Sequence, residues 1–133
     1  MAFPFDFGFI PSTLAEDGDP LDVLALMDAP VIAGCLLRCR VIGVIEAREK
    51  EVGKRWERND RLIFVACHAR VHEGVQRLRQ LRAHTLDDIA GFFEDYNRLH
   101  DKRFEVRGRH GPRRANKLVK QAAALYRTKG AKS

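Results

Sequence analysis

With 133 residues, 45% of them hydrophobic and 32% charged, the chain is sized for one domain with a core of its own, not for a disordered polymer. No apolar run approaches the roughly 18 residues of a membrane span, and the first basic residue, Arg38, comes too late for the charged start of a secretory leader. The net charge of +6 conceals an asymmetry: residues 1–37 hold six acids and no Lys or Arg, while residues 38–133 hold all 24 basic residues against 12 acids.

Phe3, Phe5, Phe7 and Phe9 alternate with Pro4, Asp6 and Gly8, a period of two that predicts an extended segment with one buried face. Pro4 lacks a ladder donor, which puts the segment at a sheet edge or in a strand-like loop. After the turn-rich stretch 16–20, Leu21 to Met27 reads as a short apolar strand broken by one carboxylate, Asp22. Leu36 to Ile45 reads as the next strand, with Arg38 and Arg40 on one face, and the charged stretch from Glu46 to Asp60, with Gly53, as a hairpin connection. Leu62 to Cys67 is continuously apolar, the pattern of a strand buried on both faces. Thr85-Leu86-Asp87-Asp88 has capping-box form, and Leu86, Ile89, Phe92, Phe93, Tyr96 and Leu99 then share one helical face. Arg103 to Arg107 is a short strand candidate, Gly108 and Gly111-Pro112 a break, and Pro112 suits the first turn of a last helix. That helix is expected to bury Leu118, Val119, Ala122, Leu125 and Tyr126 and to expose its basic residues; residues 102–133 carry 11 Lys or Arg against Glu105 alone. Short strands followed by two helices give an α+β class with a small antiparallel sheet or barrel.

The segment richest in chemistry is Asp17-Gly18-Asp19-Pro20-Leu21-Asp22. Two carboxylates about 5 Å apart repel by roughly 3 kcal/mol at an effective dielectric near 20, and Gly18 and Pro20 limit how far the three can splay. A compensating cation is expected. An EF-hand loop is excluded, because its sixth position would be Asp22 where Gly is needed and its twelfth Asp28 where Glu is needed. Zinc lacks a nearby His or Cys, whereas Mg²⁺ takes one or two carboxylates with water and phosphate oxygens. A solvated acidic turn is the bland alternative.

The run Phe7-Gly8-Phe9-Ile10-Pro11-Ser12-Thr13-Leu14, followed by Asp17-Gly18-Asp19-Pro20-Leu21-Asp22-Val23-Leu24, resembles the soluble family I inorganic pyrophosphatases. Arg38-Cys39-Arg40, Gly43-Val44 and Phe92-Phe93-Glu94-Asp95-Tyr96 continue the similarity. It implies a single domain over residues 1–133, an OB-like β-barrel with two flanking helices, shortened and incomplete at the N-terminus. It implies hydrolysis of pyrophosphate to two phosphates with Mg²⁺: Asp17 and Asp22 as metal ligands, Asp19 as general base toward a water, and Arg61 and Tyr96 on phosphate. Asn59 stands where the family has a metal-binding Asp, and Arg61 where it has a Lys. Asp60 is one residue out of register and would face the other side of a strand; Glu49 is a further acidic candidate. Phe3 and Phe7 replace two site tyrosines, and Asn97 replaces a phosphate lysine, with Arg98 beside it.

Unpaired edges in a shortened barrel lead us to expect a homo-oligomer. No membrane partner is expected, and a nucleic acid is not the expected partner, since the acidic cluster opposes a polyanion. The rival readings are a weak or inactive pyrophosphatase-like protein and a basic nucleic-acid-binding barrel module. Cys35, Cys39 and Cys67, an odd number, fit a reduced, cytoplasmic setting, with Cys35 and Cys39 as packed thiols. His68 and His72 read as surface residues, and Trp56 as an exposed aromatic at a hairpin tip.

Overall fold

The computed structural model describes residues 5–15, 18–27, 34, 36–67, 69–70, 73–81 and 83–130; for residues 5–7, 83–84 and 130 it describes the backbone. Asp17, Phe3, Cys35, His68 and His72 lie outside the described residues, as does the side chain of Phe7. Six strands and two helices follow in chain order: β1 (Phe5–Phe9), β2 (Asp22–Leu26), β3 (Cys39–Glu51), β4 (Glu57–Arg58), β5 (Arg61–Ala66), α1 (Ala83–Leu99), β6 (Lys102–His110) and α2 (Pro112–Gly130). A 3₁₀ turn, Leu78–Gln80, precedes α1.

The strands form one sheet in the order β1-β2-β5-β3-β4, with β6 also on β3. Four pairings are antiparallel, but β2 and β5 run parallel, Val23 beside Leu62 and Leu26 beside Val65. The sheet is therefore mixed where a wholly antiparallel one was expected: β5 inserts between β2 and β3, and a strand antiparallel to β3 in that place runs with β2. The phenylalanine-rich β1 is at the sheet edge, one of the two placements expected for it, and among the described residues its pairing is with β2.

β3 is longer than its apolar content suggested. Its first half pairs with β5, and its second half, Val44 to Glu51, pairs with β6. Register breaks between Val41 and Gly43 and between Glu46 and Ala47 let it bend from one neighbour to the other. Glu46 to Glu51 is thus strand, not connection, and the turn is confined to residues 52–54. From Arg48 to Glu51 the strand carries charges because it leaves the core, and those side chains are half-buried, not inside.

Both faces of the sheet centre are covered, which explains the unbroken apolarity of β5. Ile63 and Val65 pack with Leu24, Leu26, Ile42, Ile89 and Phe93 on the α1 face. Leu62 and Phe64 pack with Val23, Val44, Ala115, Leu118 and Val119 on the α2 face. Each fully buried Leu, Ile or Val contributes about 1.5–3 kcal/mol relative to exposure. Among the described residues no helix is long and apolar enough to cross a membrane.

The helices depart from the sequence reading in their details. α1 begins at Ala83, so Thr85 lies inside the helix and is not its cap. Ile89 and Phe93 are buried, but Tyr96 and Leu99 are 45% and 83% exposed, because the helix runs past the sheet. Asn97 is buried instead, its Nδ2 donating to the Phe93 carbonyl at 2.7 Å. Pro112 opens α2 as expected; Ala115 and Ala122 are its buried residues, while Tyr126 is exposed. Trp56 is half-buried under the Arg48 guanidinium, 4.3 Å from the ring centre, and so is not a bare hairpin tip. Cys39 is half-buried and Cys67 exposed; burial, followed by the nearby Cys67, pushes the Cys39 thiol up.

Glu46, on β3, is paired with Arg114 and Arg58, and His110 Nε2 is 3.3 Å from its carboxylate. Burial acts to raise its pKa, yet the Arg114 hydrogen bond and the charges of His110, Arg114 and Arg58 outweigh burial and hold it below the usual value. A depressed carboxylate stabilises the fold above the ordinary Glu range and loses that contribution as pH falls through the folded-state value. The melting-temperature gap between the parent chain and Glu46→Gln is therefore expected to be widest near neutral pH and to shrink below about pH 4.5. A gap that is constant with pH in a thermal-denaturation series would contradict this coupling.

Candidate functional site

Parallel pairing of β2 and β5 brings the starts of both strands to the same end of the sheet, and each start is a charged residue. Asp22 opens β2 and Arg61 opens β5; Arg61 Nη1 donates to Asp22 Oδ2 at 2.8 Å. The same nitrogen donates to Asn59 Oδ1 at 3.0 Å. Arg61 Nη2 lies 3.7 Å from Glu49 Oε2, and Lys102, at the start of β6, is 4.0 Å from the other Glu49 oxygen. One guanidinium thus gathers oxygens from β2, β3 and the β4–β5 connection.

That guanidinium is fixed from behind. Its side chain is 12% exposed, its carbon sits 5.3 Å from the centre of the Phe93 ring, and its Nε is buried with no hydrogen-bond partner among the described residues. A cation over an aromatic face gains about 0.5–2 kcal/mol according to its desolvation. Phe93 in turn contacts Phe92 and Phe104, at 5.8 and 5.6 Å between ring centres. Tyr96 follows one helical turn after Phe93; it stacks against Phe92 at 6.1 Å and meets the His100 ring tilted, at 4.6 Å.

The loop that delivers the acidic turn is tied down by a residue the sequence did not single out. Thr13 is buried; its hydroxyl donates to the Ile10 carbonyl at 2.6 Å and accepts from the Leu21 amide at 3.1 Å. Ile10 N–H donates to Leu21 O, and Leu14 N–H to Ala122 O on α2. The turn itself closes through Ala15 N–H to Asp19 O and Gly18 N–H to Ala15 O, with Gly18 at φ +87°. Asp19 is exposed on this turn. Buried Thr hydroxyls leave no trace in a polar loop sequence; a single Thr looks like any other turn residue.

The acidic candidates separate. Glu49 shares Arg61 with Asp22, so it belongs to this cluster. Asp60 is engaged by other partners than Arg61, although it lines the pocket beside Asp22 and Asn59: Oδ1 accepts from the Ala47 amide at 3.1 Å and Oδ2 from Arg58 Nε at 2.7 Å. Arg98 forms an exposed pair with Asp95 and is not drawn toward Arg61. Buried Asn97 offers nothing to the site. Among the described residues no group of three or more His, Cys, Asp and Glu is gathered for a metal; the oxygens assembled here come from two carboxylates and an amide. A pocket of about 320 Å³ opens beside them, lined by Asp22, Asn59 and Asp60 at one wall and by Leu21, Leu118 and Leu125 at another.

Comparison with known proteins points one way. The family model described as inorganic pyrophosphatase matches residues 1–127. The chain is 40% identical over 126 residues to soluble inorganic pyrophosphatase 2 of Chlamydomonas reinhardtii, covering 95% of this chain and 63% of that protein. Among solved structures, the inorganic pyrophosphatase of Coxiella burnetii superposes with a TM-score of 0.81 at 35% identity, over 95% of this chain and 74% of that one. That of Thermus thermophilus gives 0.83 at 33% identity, over 94% and 71%. The α+β sheet with two helices is accordingly an open, incomplete OB-like barrel, and the chain spans about three-fifths of the length of the curated relatives it matches.

Proposed function

Because the chain belongs to the inorganic pyrophosphatase family, we propose that it hydrolyses inorganic pyrophosphate to two phosphates with the help of Mg²⁺, in the cytoplasm. The observation that carries this reading is the convergence of Asp22, Asn59 and Glu49 oxygens on one cationic group, Arg61. A guanidinium is standing where hard oxygen donors meet, and that donor set suits Mg²⁺, which takes one or two carboxylates and completes its shell with water and phosphate. Asp22, Glu49 and Asn59 would hold the ion together with Asp17; when bound, it offsets phosphoryl charge and makes a neighbouring water more acidic.

The protein's own groups supply the rest. Asp19, exposed on its hydrogen-bonded turn, would accept a proton from the attacking water and pass it to solvent. Arg61, planar and always charged, would give two parallel hydrogen bonds to a phosphoryl group. The Phe93 ring backs its guanidinium. Tyr96, held by Phe92 and His100, presents a phenolic hydroxyl from the adjoining helical turn.

The deciding experiment is phosphate release from pyrophosphate by the 133-residue chain with millimolar Mg²⁺, alongside its melting temperature with and without the ion. Turnover that needs Mg²⁺, together with an upward melting shift by linkage, is expected. Indifference to Mg²⁺ in both measurements removes the proposal; a melting shift without phosphate release identifies a metal-binding relative that does not hydrolyse.

A further inference from the structure

A second charged feature lies away from this cluster. Between the 3₁₀ turn, α1, the end of β6 and the start of α2 lies a cavity of about 900 Å³. Six cationic side chains line it: Arg77, Arg79, Arg109, Arg113, Arg114 and Lys117. It shares no lining residue with the Asp22–Arg61 cluster. Two of the six are matched by acids, Arg114 by Glu46 and Arg109 by Asp87 at 3.6 Å. For Arg77, Arg79, Arg113 and Lys117 the described residues provide no carboxylate within ion-pair distance.

Like charges drawn around one concavity raise each other's energy, and low-dielectric walls focus the field they produce. Leu78, Leu86 and Pro112 supply such walls. The positive end of α2 adds to the field, though the side chains carry it. An anion spanning several cations relieves more repulsion than a single phosphate does, which points to a ligand with charges repeated along its length. Among the described residues no Phe, Tyr or Trp lines the cavity, and the one ring that does, His110, is drawn to Glu46 at 3.3 Å, so a nucleobase finds no open stacking platform of the kind single-stranded nucleic acids use. The fit is to phosphoryl groups without bases.

We propose that this cavity is a binding site for short inorganic oligophosphate chains, separate from the hydrolytic site and independent of metal. The guanidinium groups of Arg77, Arg79 and Arg113 give charge-assisted, paired hydrogen bonds to successive phosphoryl groups, and Lys117 contributes a point charge. Nothing in this binding requires the chain to be an active hydrolase.

The test is calorimetric titration of the full chain with sodium tripolyphosphate in EDTA at near-physiological salt. Binding is expected in the parent chain and in Asp22→Asn. It is expected to weaken at least about tenfold, roughly 1.4 kcal/mol, in Arg113→Glu/Lys117→Glu and, separately, in Arg77→Glu/Arg79→Glu. The two pairs sit on different elements, and circular dichroism melts check that each variant is folded. Parent affinity retained by both pairs overturns the proposal. So does a single-stranded oligothymidylate that binds more tightly than tripolyphosphate at the same salt, which would make the occupant a nucleic acid.

Discussion

Replacing Arg61 with Gln is expected to move two quantities in opposite directions: Mg²⁺ binds more tightly and pyrophosphate turnover falls. In the folded chain the guanidinium occupies Asp22, Asn59 and Glu49, so an incoming ion competes with it. Coulomb attraction at about 4 Å is worth about 4 kcal/mol at an effective dielectric near 20. Solvent takes back most of this, because Asp22 is 52% exposed, and exposed pairs typically net up to about 1 kcal/mol. Removing the competitor therefore tightens apparent Mg²⁺ affinity by about fivefold. The same change deletes a positive group that the proposed function aims at the phosphoryl oxygens, and one such group is typically worth about 10²–10³ in rate. Magnesium titration by melting temperature, set beside phosphate release, reads both effects. Weaker metal binding together with unchanged turnover would show that Arg61 is a scaffold residue and not a phosphate contact.

The second large effect concerns stability. Gly43 lies at the first register break of β3, where a Cβ would come within 2.5 Å of the His110 carbonyl oxygen and 2.8 Å of Leu78 Cβ. The first of these is backbone and cannot swing aside without opening the β3–β6 ladder, which pairs Val44 with His110. Gly43→Ala is expected to cost about 3 kcal/mol, the upper range for overpacking, and to lower the melting temperature by about 10 °C. Gly91, inside α1, is the contrast. A Cβ there meets nothing within 4 Å, so Gly91→Ala should stabilise by up to about 1 kcal/mol through helix propensity alone. Two alanines with equal effects would mean that the close approach at Gly43 yields easily.

Part of the candidate site was legible because its residues are chemically unusual where they stand. Asp22 interrupts an apolar strand, and three carboxylates crowd a stiff turn. Glu49 was harder to recognise, since it sits in a run of alternating charges that reads as a surface connection until β6 is seen pairing with it. Pattern alone could not place it beside Arg61, because that contact depends on the bend β3 makes at its register breaks. Asn97 shows the opposite limit. A polar residue on a helix is expected to face water, and this one is buried because the Phe93 carbonyl satisfies its amide. The parallel pairing of β2 with β5 was hidden for a similar reason: strand direction leaves no mark on composition.

That parallel pair also governs where the chemistry resides along the chain. β1 with β2 is a local hairpin-like unit, and β3, β4 and β5 are joined to one another by antiparallel ladders. Asp22 belongs to the first unit, while Glu49, Asn59 and Arg61 belong to the second. The seam between β2 and β5 is the line along which the two are stitched, and closing it draws together segments separated by the whole of β3 and β4. Glu49, Asn59 and Arg61 can therefore meet within the second unit, and only Asp22 has to arrive across the seam. Either unit by itself holds only part of the oxygen set.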